Sequence, residues 1–273
     1  MSAPDLEKHY SSGQLLERIE AGLRQSGLDK SSLEPKHLGP LEEFHTGGRP
    51  ATQYLFSTME IAADAHCLDV GCGIGGSARC AAVELGVKVT GVDLMDEFVA
   101  VGNTLSEWVG LDHLVSLSQA DVADLGDADR SFDVAWMLHV GMNIEDKAAL
   151  FKAVADALRP GAQFGIYDVM RTGDGDVKFP MPWASNAGQS FVESEDAYRG
   201  YLVDAGFEIT HSESRREFGL EFLAKLKARS AGGPPPLGLH LVIGPDIGVK
   251  IGNMAASFTN GTFAPVQMIA TRR

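Results

Sequence analysis

Residues Cys67-Leu68-Asp69-Val70-Gly71-Cys72-Gly73-Ile74-Gly75-Gly76 decide the fold, because an apolar run leads straight into a cluster of glycines. The alanine-rich segment that follows, residues 77–85, predicts a helix. A strand, a tight turn and a helix in this order form the first unit of a layered α/β domain. Since glycine reaches positive φ and lets a ligand approach the backbone, the turn also predicts a cofactor loop.

Two carboxylates near this loop help to distinguish between the cofactors that the loop could bind. Asp93 ends the next predicted strand, where its carboxylate can accept hydrogen bonds from ribose hydroxyls. A dinucleotide and S-adenosylmethionine both carry such a ribose. Asp69, just ahead of the first glycine, would repel a pyrophosphate but attract a sulfonium or an amino group. The residues favour S-adenosylmethionine; the alternative is that Asp69 caps the turn and the glycines only pack helix on strand.

Composition points to an enzyme-sized globular domain that handles small molecules. The chain has 273 residues, 44% of them hydrophobic, which suits one large α/β domain with an appended cap or lid. Lys and Arg number 23 against 37 Asp and Glu, for a net charge of −14. That charge opposes contacts with phosphates, so we expect a small-molecule acceptor and no nucleic-acid partner.

Cysteine usage and the lack of long apolar runs predict a cytoplasmic protein. All 3 cysteines lie between residues 67 and 80, too close for a disulfide framework, and no histidine cluster has zinc spacing. We therefore expect reduced thiols and no metal. The N-terminus lacks a basic region followed by an apolar run, and no uncharged stretch is long enough to span a membrane. The expectation is a protein that is neither secreted nor membrane-bound.

Strand and helix patterns alternate from residue 65 to residue 169. Apolar runs predict strands near 66–71, 87–92, 115–119, 132–138 and 163–169, and amphipathic patterns predict helices near 75–85, 95–109 and 145–158. Such alternation means parallel βαβ units and an α/β fold with helices on both faces of the sheet. Two later strands, near 207–212 and 265–271, bring the count to seven.

The segments that flank this core predict a lid over the crevice. Residues 1–60 are interpreted as an N-terminal helical lid segment, with one helix through Leu15, Ile19 and Leu23 and another through Leu55. The main domain then covers 61–273, with cap inserts near 171–200 and 217–262. Trp183 and Phe179, in the first insert, are candidates for walling the pocket, although Trp183 can equally be plain packing.

Five motifs follow one another in order and carry a family resemblance. They are Leu-Asp-Val-Gly-Cys-Gly-x-Gly-Gly from Leu68, Val-Thr-Gly-Val-Asp-Leu from Val89, Gln-Ala-Asp-Val from Gln119, Ser-Phe-Asp-Val-Ala-Trp from Ser131 and Leu-Arg-Pro-Gly-Ala from Leu158. As a set they closely resemble class I S-adenosylmethionine-dependent methyltransferases. Within that superfamily the chain resembles the small-molecule branch of ubiquinone-type and sarcosine and dimethylglycine methyltransferases.

The resemblance implies a Rossmann-like seven-stranded mixed sheet whose last strand is antiparallel. It also implies that Asp69, Gly71 and Gly73 hold the methionine part of S-adenosylmethionine and that Asp93 holds the ribose. The remaining cofactor-binding candidates are Gly75, Leu94, Asp121, Val122 and Leu138, with Leu94, Asp121 and Val122 at the adenine. One departure is the absence of an Asn/Asp-Pro-Pro-Tyr run after the fourth strand, where residues 137–143 read Met-Leu-His-Val-Gly-Met-Asn. Amide or adenine N-methylation is therefore not expected.

Three histidines are candidates for a general base, which methyl transfer needs only for some acceptors. His139 leads, because the end of the fourth strand faces the methyl group in this topology; alternatively it contacts the cofactor or fixes the loop. His45 and His240 lie in segments that can fold over the crevice. Candidates for orienting a polar acceptor are Asn143, Tyr167 and Gln53.

Three functions remain open on the sequence. The first is methyl transfer from S-adenosylmethionine to a soluble N, O or C nucleophile by in-line displacement, which releases S-adenosylhomocysteine. The second is an NAD-dependent oxidoreductase that uses the same loop, and the third is a non-catalytic S-adenosylmethionine-binding protein. The sequence decides neither the acceptor nor the oligomeric state, for which a homodimer is one option.

Overall fold

The centre of the computed structural model, which describes residues 13–122, 132–229 and 232–273, is a seven-stranded sheet of order β3-β2-β1-β4-β5-β7-β6. The strands are β1 (His66–Val70), β2 (Lys88–Asp93), β3 (Val115–Gln119), β4 (Phe132–Leu138), β5 (Leu158–Arg171), β6 (Phe207–Ser214) and β7 (Phe263–Arg272). β1 to β5 pair in parallel, and β7 runs antiparallel to both β5 and β6. The Rossmann-like mixed sheet with an antiparallel last strand is confirmed.

Helices cover both faces of this sheet. They are α1 (Leu15–Gln25), α2 (Pro35–Glu42), α3 (Arg49–Ser57), α4 (Gly76–Leu85), α5 (Asp96–Trp108), α6 (Lys147–Ala157), α7 (Glu195–Asp204), α8 (Arg216–Arg229), α9 (His240–Ile243) and α10 (Ile247–Thr259). One face buries Phe151 of α6 and Leu202 of α7. The other buries Leu55 of α3 and Ala81 of α4. Apolar side chains on both sides explain why the central strands read as continuous hydrophobic runs.

Two elements begin well before their predicted starts. α3 begins at Arg49 rather than near Leu55, because Pro50 has its φ fixed near the helical value and needs no backbone donor in the first turn. β5 begins at Leu158, several residues before the predicted start, and pairs there with Phe132 of β4. Its register then shifts across Gly161, whose φ of 83° suits an irregular strand.

The N-terminal helix is fastened to the sheet domain at both its apolar face and its start. Leu15, Ile19 and Leu23 of α1 are buried in a cluster with Phe98 of α5. The Glu97 carboxylate accepts from the backbone N–H of residue 13 at 3.1 Å and of Leu15 at 2.8 Å, which satisfies donors that the first helical turn leaves open. A carboxylate at this end also suits the helix dipole.

A second apolar cluster joins the segment around Trp183 to α8 and α10. Trp183 and Met181 pack with Leu223, Met254 and Phe258, all of them buried. None of the helices in the described part of the chain combines the length and apolar character that crossing a bilayer requires.

Candidate functional site

A cleft lies at the carboxyl ends of β1, β2 and β4. Its volume is about 1150 Å³ when the solvent-open space at its mouth is included. Backbone of the glycine loop and two carboxylates, Asp69 and Asp93, line one side of it. Side chains from the N-terminal segment, the β4–α6 loop, the Trp183 region and α9 line the other side. The position agrees with the rule that open α/β sheets bind ligands beyond the carboxyl ends of their strands.

The glycine loop owes its shape to left-handed backbone. Gly71, Gly73 and Gly75 have φ of 68°, 53° and 82°, a region that side-chain-bearing residues rarely adopt. A Cβ on Gly71 would lie 2.5 Å from Cγ2 of Val140. The loop is held by the Val92 carbonyl, which accepts from the N–H of Gly71 at 2.8 Å. Gly71 and Gly73 therefore present bare backbone to the cleft, while Gly75 precedes α4 and does not line it.

The two strand-end carboxylates stand on either side of this loop. Asp69 is 1% exposed and accepts at Oδ2 from Ser77 Oγ at 2.5 Å. Burial raises the pKa of Asp69 to about 7. Asp93 accepts from the N–H of Gly73 at 2.8 Å and of Met95 at 2.9 Å, and burial raises its pKa as well. A cation bound beside either carboxylate would favour its ionised form.

The other predicted cofactor residues divide into those that reach the cleft and those that do not. Leu94, Val122 and Leu138 line it. Asp121, next to Val122, is exposed and is not among the lining residues. The roles assigned to these residues stay predictions.

His139 lines the cleft in an unusual backbone conformation, with φ of 57°. Its Nδ1 lies 3.1 Å from the Tyr167 carbonyl oxygen, and its Nε2 accepts from the Thr46 N–H at 3.3 Å. Since the carbonyl can only accept, Nδ1 carries the proton and the ring is neutral. Burial, and next the nearby His45, lower the pKa of His139 to about 3.

His45 also lines the cleft, and its environment likewise favours the neutral ring. It is 6% exposed, and its ring centroid lies 5.9 Å from that of His139. Nε2 lies 3.1 Å from the Gly48 carbonyl oxygen and 3.0 Å from Thr52 Oγ1. Burial lowers the pKa of His45 to about 4. The two histidines are thus hydrogen-bonded, neutral groups at physiological pH.

Of the remaining candidates, Asn143 and Trp183 line the cleft, and Trp183 donates Nε1–H to Ser190 Oγ at 3.0 Å. His240 is not among the lining residues; its helix, α9, contributes Val242 and Ile243 instead. Gln53 donates to Glu84 at 2.6 Å on an exposed face. Phe179 and Tyr167 are likewise not among the residues that line the cleft.

A buried ionic network behind the glycine loop was not anticipated from the sequence. Glu42 accepts from Arg79 at 2.7 Å and from Arg49 at 2.6 Å, and Glu43 accepts from Arg49 at 2.7 Å. Arg79 is 0% exposed although it lies in the alanine-rich helix α4. An arginine in an otherwise apolar stretch was the available signal, since buried arginines need paired carboxylates.

A second buried polar group supports the β4–α6 loop. Tyr198 Oη donates to Asp168 Oδ2 at 2.7 Å, and the Val169 N–H donates to Oδ1 at 2.9 Å. Burial raises the pKa of Asp168 to about 6. A Cβ on Gly141 would lie 2.4 Å from Asp168 Oδ2, so the loop backbone rests directly on this carboxylate.

Within residues 13–122, 132–229 and 232–273, no three His, Cys, Asp or Glu side chains are grouped to hold a metal ion.

Comparison with known proteins gives a family for the core. Residues 68–166 match the family described as "Methyltransferase domain". Sterol 4-C-methyltransferase of Caenorhabditis elegans is 31% identical over 45% of this chain, and phosphoethanolamine N-methyltransferase 3 of Arabidopsis thaliana is 31% identical over 67%. The matched part spans only 36% of each of these two relatives.

A solved structure resembles the whole chain. Phosphoethanolamine N-methyltransferase 2 of Haemonchus contortus, in complex with S-adenosyl-L-methionine, superposes with a TM-score of 0.73 at 19% identity. The match covers 100% of this chain and 60% of the other. At this identity the similarity shows the fold alone.

Proposed function

We propose that the chain transfers a methyl group from S-adenosylmethionine to a small-molecule acceptor, because residues 68–166 match the methyltransferase-domain family. The transfer is an in-line displacement at an N, O or C nucleophile and releases S-adenosylhomocysteine. The observation that carries the proposal is the left-handed loop, Gly71 to Gly75, flanked by the carboxylates of Asp69 and Asp93.

The geometry supports a division of roles within the cleft. Asp69 meets the amino group and sulfonium side of the cofactor, and Asp93 accepts from the ribose while it also holds the Gly73 N–H. Leu94 and Val122 supply apolar contacts for adenine. A dinucleotide fits less well, because its pyrophosphate would lie against Asp69 and Asp93 rather than a cation.

The side of the cleft beyond β4 receives the acceptor. A methyl group on a sulfonium departs readily, so holding the nucleophile in line does most of the work. His139 and His45 act there as neutral, hydrogen-bonded groups that position the acceptor and exclude water. Residues 13–60 and the described parts of the inserts near 171–200 and 217–262 form the lid and cap, since Phe44, Trp183 and Ile243 come from them.

The three cysteines are free and buried, which supports a reducing, cytoplasmic setting.

Calorimetric binding of S-adenosylhomocysteine tests this function without knowledge of the acceptor. Asp93→Ala removes the carboxylate that accepts hydrogen bonds from the loop and, in the proposed complex, from the ribose. We therefore expect the affinity for S-adenosylhomocysteine to fall about 100-fold. Asp112→Ala, at an exposed aspartate, is the matched control and retains wild-type affinity. No binding to the wild type at tens of micromolar, or equal affinity in the two variants, would contradict the proposal.

A further inference from the structure

The acceptor half of the cleft, defined as Phe44, His45, His139, Met142, Trp183, Val242 and Ile243, is mostly apolar and contains no lysine or arginine. Among the described residues that line the whole cleft there is neither a lysine nor an arginine. At physiological pH its two histidines are neutral, because burial holds the pKa of His45 at about 4 and that of His139 at about 3.

The arginines that contact lining residues are already neutralised. Arg49 bonds to Glu42 at 2.6 Å and to Glu43 at 2.7 Å. Arg79 bonds to Glu42 at 2.7 Å and donates a further bond to the Gly102 carbonyl at 3.0 Å. Two guanidiniums therefore face two carboxylates, and neither is free to turn to a ligand without leaving a buried carboxylate unpaired.

The lysines that contact lining residues are engaged as well. Lys147 is 2% exposed and donates to the Ile144 carbonyl at 2.9 Å and to a second carbonyl at 2.5 Å. Lys250 is 5% exposed, donates to the Ile243 carbonyl at 3.2 Å and pairs with Asp246 at 3.1 Å. Both lysines stabilise loop backbone behind the lining rather than the space in front of it.

Resting on the proposed function, we propose that the methyl acceptor is a molecule with an apolar body and no anionic group, and that phosphate- and carboxylate-bearing acceptors are rejected. An anion placed against Trp183, Met142 and Ile243 would lose its hydration without gaining a cation or a charge-assisted hydrogen bond. An uncharged aliphatic or aromatic body gains from the same surface, since burial of apolar area is favourable.

Matched pairs of ligands test this charge preference. The probes are 2-phenylethanol and geraniol, each beside its own phosphate monoester, added to protein saturated with S-adenosylhomocysteine. The readout is the unfolding temperature, because a ligand that binds only the native state raises it. We expect the alcohols to stabilise at concentrations about tenfold or more below those of their phosphates. Equal or better stabilisation by the phosphates, or none by any probe, overturns the inference.

The same titrations without S-adenosylhomocysteine separate this inference from the proposed function. Failure of S-adenosylhomocysteine to bind defeats the methyltransferase, whereas the ligand preference of the cleft is still measured. The two failures are therefore distinguishable.

A cation introduced into the acceptor half is expected to reverse the preference. Ile243→Arg places a guanidinium at a half-buried lining position, and Phe44→Lys repeats the test from the opposite segment should the first variant fold poorly. Either variant should bind the phosphates about tenfold more tightly than the wild type does. Val249→Arg, at a side chain 57% exposed on α10, is the matched control and leaves the preference unchanged. A preference unmoved in both cleft variants overturns the inference.

Discussion

In the cofactor half of the cleft, defined as Asp69, Gly71, Gly73, Asp93, Leu94 and Val122, the surface comes from strand ends and from one loop. In the acceptor half the surface comes from side chains of four segments far apart in the chain, at residues 44–45, 139–142, 183 and 242–243. The shape of the cofactor half is therefore set by the backbone of a rigid sheet. The shape of the acceptor half depends on how separate segments pack against one another.

This difference teaches where the protein tolerates change. A substitution in the cofactor half meets backbone that cannot move, as at Gly71 against Val140. A substitution in the acceptor half meets side chains that can repack, so the same cofactor chemistry can serve different acceptors. The buried network of Glu42, Arg49 and Arg79 joins the halves, because it links the N-terminal segment to the helix after the glycine loop.

The largest expected effect comes from a substitution in the buried network of Glu42, Arg49 and Arg79. Glu42→Ala leaves Arg79 buried without its carboxylate, so the free energy of unfolding should fall by about 3–5 kcal/mol. Chemical denaturation measures it, with the exposed Glu84→Ala as control. A loss no greater than in the control would mean that the two halves are not joined through this network.

The next effect is a pH dependence beneath the acceptor half. Because burial raises the pKa of Asp168 to about 6, the folded state holds this proton more tightly than the unfolded chain does. The protonated Asp168 therefore stabilises the folded state below about pH 4, and this stabilisation is lost as the pH rises through 6. Relative to the wild type, Asp168→Asn should gain about 2 kcal/mol in unfolding free energy between pH 4 and pH 7. A parallel pH profile for the two proteins would contradict the shift, and Asp112→Asn supplies the exposed comparison.

Gly71→Ala tests the rigidity of the cofactor half. Gly86 has nearly the same φ, 70° against 68°, but a Cβ there meets nothing within 4 Å. Both substitutions carry the left-handed backbone penalty of about 1–2 kcal/mol, and only Gly71→Ala adds the overlap with Val140, about 1–3 kcal/mol more. Denaturation and S-adenosylhomocysteine titration of both variants measure the difference. Equal effects would show that the loop can shift.

His139→Asn separates a base from a positioning residue in the acceptor half. Asparagine tolerates the positive φ of this position, so the backbone should persist. We expect turnover to fall by about tenfold with cofactor affinity kept, whereas removal of a general base would cost about 10²–10⁴. Single-turnover rates and calorimetry provide the two readouts. Equal loss of turnover and affinity would assign His139 to the cofactor half.

The smallest effect concerns the lid. Glu97→Ala removes the carboxylate that caps α1, at about 1 kcal/mol, and should increase hydrogen exchange in residues 13–25. The exposed Glu107→Ala, in the same helix α5, is the control. Unchanged exchange in both would show that the apolar face of α1 alone holds the lid.

The cofactor half was open to prediction because its determinants are local. An apolar run, glycines at fixed spacing and an aspartate at the next strand end identify the crevice whatever the rest of the chain does. The strands and the reversed β7 followed in the same way from periodicity and from the resemblance.

The acceptor half was only partly predicted, because tertiary packing decides it. His45, His139 and Trp183 were named, but no spacing rule indicates that Ile243 rather than His240 reaches the cleft. The pairing of Glu42 with Arg79 joins residues far apart in the chain, so it too depends on the folded arrangement.

The hydrogen bond from the Thr46 N–H to His139 Nε2 ties the N-terminal segment to the end of β4. Any movement that lifts this segment breaks the bond and hydrates the imidazole, whose pKa then returns toward its ordinary value of about 6.5. The opened form therefore binds a proton at His139 at a pH where the closed form does not. Mild acid would therefore favour the lifted position of the segment over the position that holds this hydrogen bond.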